Sequence, residues 1–175
     1  MADTYLKPKQ YIQDKIDSFY QSQLQGKNVL GVVARGTANL HYHPEYPKVH
    51  ANEWPDRIQQ YLDQYPEIDT IFLGICDDNE ILDAILTRFP DTIYLKDMFR
   101  KTTQTAQDVL GDPKKMWWVT PLEGTVADHR KRLGEECIVA TKLIAKCDYF
   151  LGACSGMSNL AQFFNKKEFK VSHII

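Results

Sequence analysis

The sequence predicts an α/β protein built on a doubly wound parallel sheet. Strand-like and helix-period segments alternate along the 175 residues, which is the pattern of a parallel sheet with crossover helices. The clearest strand runs from Val29 to Ala34, apolar except at Gly31 and rich in β-branched valine. A strand of this kind is typical of the centre of a sheet that is covered on both faces.

The other elements follow from apolar periodicity. An opening helix is predicted after Pro8, and a second contains Ile58, Tyr61, Leu62 and Tyr65. The remaining predictions, in chain order, are a strand over 70–75, a helix over 81–89, a strand over 92–95, a strand over 117–119, the longest helix over about 130–146, a strand over 148–152, a helix over 157–164 and a last strand over 169–174. Residues 99–128 are polar and punctuated by glycine and proline, which predicts a long functional or mobile loop.

Composition excludes several classes of function. The chain carries 21 basic and 23 acidic residues, for a net charge of -2, so no basic field indicates a nucleic-acid partner. Its four cysteines form no C-x-x-C pair and are interpreted as reduced core residues. No apolar run approaches the ~20 residues of a membrane span, and the first residues lack a secretory pattern, which predicts a cytoplasmic location.

The first candidate site is Arg35-Gly36-Thr37, directly after the central strand. Open α/β sheets bind ligands at the carboxyl ends of their strands. An arginine there offers a rigid fork of donors to a phosphate or carboxylate, and Gly36 allows that group to approach the backbone. The alternative is that Arg35 pairs with a carboxylate of its own protein, such as Asp77 or Asp78.

The second candidate site is the acidic pair Asp77-Asp78, which leaves a strand and opens a helix. Asp77 with Glu80 has the spacing of a capping box, so these acids would satisfy free N–H groups of the helix. The functional alternative is that one of them accepts hydrogen bonds from ribose hydroxyls or from a base. Neither this pair nor the histidines at positions 41, 43 and 50 has the spacing of a metal site, and no metal is predicted.

The third candidate site joins a strand to a helix at Ser155-Gly156-Met157-Ser158. Small residues, two hydroxyls and the partial positive charge of a helix N-terminus are typical of a phosphate site. An ordinary N-cap at Ser155 has the same geometry. A further alternative takes Cys154 as the nucleophile of a hydrolase, for which only Glu168 and His173 follow as partners.

In order and spacing, these segments resemble the donor-binding half of the fucosyltransferases related to α1,6-fucosyltransferases, nodulation fucosyltransferases and protein O-fucosyltransferases. The resemblance rests on Val29-Leu30-Gly31-Val32 leading into Arg35-Gly36-Thr37, on His43-Pro44, on Ile71-Phe72-Leu73 leading into Asp77-Asp78, and on Cys147-Asp148-Tyr149-Phe150-Leu151 leading into Ser155-x-x-Ser158-x-x-Ala161. It covers nearly the whole chain from Lys27 to Asn165.

The resemblance implies one Rossmann-like half of a GT-B glycosyltransferase, which transfers fucose from GDP-fucose with inversion and without a metal or other cofactor. We expect an N-terminal helical arm at 1–25 and a Rossmann-like nucleotide-sugar-binding domain at 26–175. The resemblance implies that Arg35 is catalytic and holds the β-phosphate, with Gly36, Thr37 and His43 also binding the donor. Asp77 or Asp78 would lie beside the guanosine, and Ser155, Gly156 and Ser158 would line the pyrophosphate. The acceptor, a glycan or a peptide, would bind a domain outside this chain.

The sequence departs from the family pattern at three polar positions. Val33 and Ala38 stand where the family has a histidine and an aspartate, and Ala140 stands where it has an aspartate in the long helix. Three functions therefore stay open. The chain is the donor half of a transferase, or a degenerate nucleotide-binding module without catalysis, or a cysteine hydrolase.

Overall fold

Five parallel strands form one sheet in the order β3-β2-β1-β4-β5 in the computed structural model, which describes residues 7–35, 49–100, 128–165 and 167–175. The strands are β1 (Val29–Ala34), β2 (Thr70–Cys76), β3 (Ile93–Tyr94), β4 (Tyr149–Gly152) and β5 (Val171–Ile174). Each neighbouring pair is parallel, so all carboxyl ends lie at one edge of the sheet. The predicted fold class is confirmed.

Within the described ranges, five α-helices connect or flank these strands. They are α1 (Gln10–Phe19), α2 (Trp54–Gln64), α3 (Asn79–Arg88), α4 (His129–Ile144) and α5 (Gly156–Phe164). Alpha1 continues into a π-helical turn over Tyr20–Leu24, and a short 3-10 turn over Ala51–Glu53 leads into α2. The predicted helices are all present, with ends that differ by a few residues. The predicted strand at 117–119 and most of the predicted loop at 99–128 lie outside the described residues.

The central strand β1 is buried on both faces, as the sequence predicts. Leu30, Val32 and Ala34 pack in a cluster with α2 and α3, whereas Val29 and Val33 pack on the other face with α1, α4 and α5. The alternation follows from the two-residue repeat of a strand. Because both faces of the strand are covered, a ligand reaches β1 at its end, where Arg35 begins.

The opening helix contributes to the main core. Ile12, Ile16 and Leu24 are buried in the same cluster as Val139 and Leu143 of α4. The apolar spacing that predicted α1 therefore matches the stripe that it packs inward. The division of the chain at residue 25 stays a prediction.

A bulge in β2 sets the register with β1. Val32 pairs with Leu73, but Val33 pairs with Ile75, so Gly74 is the extra residue. Ala34 consequently pairs with Cys76. The residues that follow, Arg35 and Asp77, thus leave adjacent strands at the same level, where neighbouring strands are ~4.8 Å apart.

Gly74 also allows α4 to lie close to the sheet. An ideal Cβ at this position would lie 2.5 Å from Cγ1 of Ile144 and 2.9 Å from Cε1 of Phe72. Ile144 and Phe72 are fully buried, so neither has room to withdraw. The glycine is thus required by the packing of α4 as well as by the bulge.

Replacing Gly74 with alanine should lower the free energy of unfolding by about 1 to 3 kcal/mol, because the new methyl group overlaps Ile144 and Phe72. Gly134→Ala is the matched control. Its Cβ would meet no atom within 4 Å, and alanine in a helix should stabilise by about 0.5 to 1 kcal/mol. Urea unfolding of both variants measures the difference. Equal stability of the two variants would contradict the close packing at Gly74.

Candidate functional site

Arg35 and Asp77 form an ion pair at the carboxyl edge of the sheet. Arg35 Nε lies 3.3 Å from Asp77 Oδ2, and the two side chains are only 22% and 20% exposed. Nε is buried and makes no aligned hydrogen bond, so the attraction is mainly between charges. Among the described residues no hydrogen bond engages the terminal nitrogens of Arg35. Asp77 thus holds the inner end of the guanidinium.

Asp78, and not Asp77, caps the helix that follows. Asp78 Oδ1 accepts a hydrogen bond of 3.0 Å from the N–H of Glu80, and Asp78 is 6% exposed. The sequence-based assignment of the cap to Asp77 and Glu80 was wrong. The reason is that β2 extends to Cys76 and directs Asp77 toward Arg35, so Asp78 is the last extended residue before α3.

Cys76 joins these acids to the core. Its Sγ donates to the carbonyl oxygen of Asp78 at 3.2 Å, and burial raises the pKa of the thiol to about 12. A thiol with this pKa is neutral at physiological pH. Cys76 is thus a reduced core residue, as the sequence predicts, and it supports the turn that carries Asp77 and Asp78.

Ser155 caps α5, as the sequence predicts. Its Oγ accepts a hydrogen bond of 3.2 Å from the N–H of Ser158, which satisfies one free donor of the first turn. The N–H groups of Gly156 and Met157 precede the first intrahelical hydrogen bond, and the helix dipole places partial positive charge beside them. This end of the helix has the donors and the charge that an anion requires.

Ser158 is turned away from the edge of the sheet. It is fully buried, and its hydroxyl donates to the carbonyl oxygen of Ala153 at 2.6 Å. Gly152 makes this approach feasible, since an ideal Cβ there would lie 2.8 Å from Ser158 Oγ. Of the two predicted serines, Ser155 is therefore the one that stays partly exposed.

The register of β4 brings the Arg35 and Ser155 segments together. Val33 pairs with Gly152, and the N–H of Ala153 continues the ladder with a bond of 2.9 Å to the carbonyl oxygen of Val33. Arg35 thus leaves β1 between Asp77 on one side and Cys154-Ser155 on the other. All three candidate segments meet at one edge, as expected for parallel strands.

The side chain of Arg35 lies on the α4 side of the sheet. Burial raises the pKa of the Cys137 thiol in α4, and the positive charge of Arg35 opposes that rise. The alternation of side chains along β1 supports the same placement. Val33 packs in the cluster that contains residues of α4, and Arg35, two residues further along the strand direction, lies on the same side of the sheet.

The structure describes only part of the predicted site. Gly36, Thr37 and His43 lie outside the described residues. Val33 and Ala140, where the family has polar residues, are both fully buried in the core. Both side chains therefore belong to the core of the fold.

The sequence does not single out Arg100, whose guanidinium is fixed within its own turn. Its Nη2 donates to the carbonyl oxygen of Leu95 at 2.7 Å and its Nη1 to that of Met98 at 3.1 Å. The guanidinium carbon also lies 5.3 Å from the centre of the Tyr94 ring. The sequence signal for Arg100 is a basic residue shortly after a strand. That signal is weak here because β3 is only two residues long.

Two adjoining cavities of about 460 and 390 Å³ lie between α1, α4 and the segment after β3. They share four lining residues, Lys15, Asp97, Glu136 and Val139. None of the predicted site residues lines either cavity. The predicted site residues that the structure describes lie instead at the ends of strands and at the N-terminus of α5.

The partners that a Cys154 hydrolase would need do not meet the thiol. Glu168 precedes β5 and so lies at the amino edge of the sheet, whereas Cys154 follows β4 at the carboxyl edge. His173 is exposed and pairs with Leu151, three residues before Cys154. In the described part of the chain, no histidine is hydrogen bonded to Cys154, and the geometry of a triad is absent there.

The described residues contain no group of three histidine, cysteine or acidic residues placed to hold a metal ion. They also contain no helix with the length and apolar character needed to cross a membrane.

Comparison with solved structures identifies the fold. The chain is similar to NodZ α-1,6-fucosyltransferase soaked with GDP-fucose, with a TM-score of 0.52 and 19% identity over 89% of this chain and 42% of that one. It is also similar to POFUT1 in complex with GDP, with a TM-score of 0.52 and 12% identity over 97% of this chain and 49% of that one. Neither a protein-family model nor a curated protein matches the sequence.

These similarities place the chain in the Rossmann-like α/β class and show that its fold is similar to that of the GT-B fucosyltransferases. The resemblance predicted from the sequence is thus confirmed at the level of the fold. The chain spans less than half the length of either protein.

Proposed function

We propose that this chain is the donor-binding domain of a glycosyltransferase and takes a nucleoside diphosphate sugar of the GDP-fucose type. The observation that carries the proposal is the position of Arg35 at the carboxyl edge of β1, between Asp77 and the capped N-terminus of α5. Two proteins of similar fold were solved with GDP-fucose or GDP, which supports the same class of ligand here.

The proposed binding mode places the diphosphate at this edge. Arg35 contributes its terminal nitrogens as a bidentate donor, while Asp77 fixes its inner end. Ser155 and the N–H groups of Gly156 and Met157 contribute neutral donors and the helix dipole. The donor sugar then extends from the β-phosphate, away from the sheet.

The proposed reaction depends on charge that develops on the leaving group. When the bond between sugar and diphosphate breaks, negative charge builds on the β-phosphate, and Arg35 stabilises it. Inversion needs an acceptor hydroxyl on the opposite face of the sugar, and a base that removes its proton. We propose that a domain outside this chain supplies both, and that no metal is required. Glycan and peptide acceptors are both compatible with this arrangement.

A second candidate is a binding module without catalysis. The full burial of Val33 and Ala140 favours it, because the polar contacts that the family makes from these positions are replaced by core packing. Such a module would keep the Arg35 and Ser155 anion site and lose the remaining contacts to the nucleoside. Binding without transfer, in the presence of an acceptor domain, distinguishes the module from the enzyme.

Arg35→Ala should weaken binding of GDP by about 2 to 3 kcal/mol, which is roughly 30- to 150-fold, because a charge-assisted bidentate contact is lost. Arg35→Lys should recover only part of the affinity, since lysine has no fork. Calorimetric titration with GDP, UDP and ADP provides the measurement. Arg88→Ala removes an exposed arginine paired with Asp56 and serves as the control. If Arg35→Ala binds all three nucleotides as the control does, the proposed site is wrong.

Chelation of divalent metals should leave GDP binding unchanged, because Arg35 and the N-terminus of α5 meet the phosphate charge. Titrations in excess EDTA, and again after addition of magnesium or manganese, test this expectation. Binding that is lost in EDTA and restored by metal would give the acids at 77 and 78 a metal role and would overturn the metal-independent proposal.

The 175-residue chain alone should bind GDP with micromolar to millimolar affinity and transfer no sugar. A GT-B enzyme closes its donor site between two domains and excludes water there, and this chain has the length of one such domain. Incubation with labelled GDP-fucose and panels of glycan and peptide acceptors checks the expectation. Sugar product or free fucose above the control without protein would show that no second domain is needed.

A further inference from the structure

Two adjoining cavities between α1, α4 and the segment after β3 have the size of a small-ligand site. Their volumes are about 460 and 390 Å³, and pockets that hold small ligands measure roughly 300 to 1,000 Å³. Arg35, Asp77 and Ser155 line neither of them. A ligand bound here therefore occupies a place separate from the proposed diphosphate site.

A π-helical turn forms one wall of the larger cavity. It follows α1 over Tyr20–Leu24, and its residues Ser22 and Gln23 line the cavity beside Phe19. Such turns are rare and are frequently found at functional sites. Because the turn is wider than an α-helical one, it directs these side chains differently from a regular continuation of α1. The wall is thus shaped by a local departure from regular structure.

Thr92 lines the larger cavity and has a hydroxyl without a hydrogen-bond partner. The residue is 7% exposed, and its Oγ1 is buried with no partner among the described residues. An unpaired buried hydroxyl is costly, because folding removes it from water. A polar group that enters the cavity at Thr92 gives this hydroxyl a partner. The inner end of a ligand should therefore be polar.

Much of the larger cavity is apolar. Its apolar side chains belong to, or pack against, the core cluster on the α4 face of the sheet, and they are Phe19, Ile93, Leu95, Met98 and Val139. Thr92 precedes β3 and Lys96 follows it, so these two residues are at most about 13 Å apart along an extended chain. An aromatic ring fits between them, and the apolar wall removes it from water.

Unpaired charges of both signs line the same cavities. Lys15 and Asp97 line both cavities, and Lys96 lines the larger one. All three side chains are exposed, and none forms an ion pair with a residue that the structure describes. A ligand that carries both a carboxylate and an ammonium group matches this set of charges.

The remaining charged groups at the cavities are already engaged. Glu136 accepts hydrogen bonds from Arg132 Nε at 2.8 Å and from the N–H of Phe99 at 3.0 Å. Glu135 accepts one from the hydroxyl of Tyr11. Three basic and three acidic side chains line the two cavities in all, so their net charge is about zero. This balance favours a zwitterion over a ligand of one sign.

We propose that these cavities bind a free aromatic amino acid whose ring carries a hydrogen-bonding group, as in tyrosine. The carboxylate of the ligand pairs with Lys15 and Lys96, and its ammonium group pairs with Asp97. Its ring lies against the apolar wall, and its hydroxyl meets Thr92 at the inner end. The site takes no part in the proposed transfer reaction.

A series of four small molecules tests the chemistry of the ligand on the parent protein. L-tyrosine should bind with a Kd of about 0.1 mM, measured by calorimetric titration. L-phenylalanine lacks the ring hydroxyl, tyramine lacks the carboxylate, and 3-(4-hydroxyphenyl)propionate lacks the ammonium group. Each should bind at least about 5-fold more weakly. Equal affinity for all four molecules, or no binding of L-tyrosine up to its solubility limit, overturns the proposal.

Charge variants test which residues meet the two ends of the ligand. Asp97→Asn should weaken L-tyrosine and tyramine about 5-fold and leave 3-(4-hydroxyphenyl)propionate within about 2-fold. The double variant Lys15→Gln with Lys96→Gln should weaken L-tyrosine and 3-(4-hydroxyphenyl)propionate and spare tyramine. Lys9→Gln and Asp91→Asn remove the same charges at exposed positions that line neither cavity, and are the matched controls. Affinities equal to those of the controls overturn the proposal.

Thr92→Val tests the inner end of the site. Valine has nearly the same shape, so the variant should lose the preference for L-tyrosine over L-phenylalanine without a lower free energy of unfolding. A preference that survives this change contradicts the proposed placement of the ligand.

Competition with GDP tests whether the two sites are separate. Excess GDP should leave the affinity for L-tyrosine within about 2-fold of its value in the absence of nucleotide. Displacement of L-tyrosine by GDP would place the amino acid at the donor edge and overturn this inference.

Discussion

The register between β1 and β2 decides which side chains meet at the carboxyl edge of the sheet. The bulge at Gly74 moves the pairing by one residue, so that Ala34 lies opposite Cys76. If Gly74 instead paired regularly with Val33, without a bulge, Ala34 would lie opposite Ile75, and Arg35 would lie level with Cys76 and not with Asp77. A single glycine thus sets both the packing of α4 against the sheet and the contact between Arg35 and Asp77.

The two neighbouring acids have separate roles because of this register. Asp77 faces Arg35 and fixes its inner end, while Asp78 closes the first turn of α3. Neither carboxylate is thereby assigned to the ribose or the base, which the resemblance had implied for one of them. The proposed site is consequently built around phosphate, with Arg35 and the N-terminus of α5 as its positive groups. Discrimination between nucleotides must come from other parts of the protein.

The fold was predictable from the sequence because buried residues recur at the regular spacing of a strand or a helix. The segment from Val29 to Ala34 is apolar at every position except one glycine, and the helices carry apolar residues spaced three and four positions apart. The alternation of these strands and helices along the chain then indicates a parallel sheet. The N-cap at Ser155 was predictable for a related reason, since it depends on a local hydrogen bond to the N–H of Ser158 three residues away.

Contacts between distant segments were not predictable in this way. The bulge in β2 places Asp77 beside Arg35 and leaves Asp78 as the helix cap. A lone glycine in a strand is only a weak sequence signal for such a bulge. The inward turn of Ser158 depends on the space beside Gly152, and the position of Arg100 depends on two carbonyl oxygens of its own turn. Each of these side chains is ordinary in sequence and acquires its direction from tertiary packing.

The most direct test of this account is a crystal of the chain soaked with GDP. The account predicts that the β-phosphate lies within hydrogen-bond distance of the Arg35 guanidinium and of the first-turn N–H groups of α5, with Arg35 still paired to Asp77. A diphosphate bound elsewhere, such as in the cavities beside α1, would contradict it. So would a complex in which Asp77 and Asp78 turn toward a bound metal.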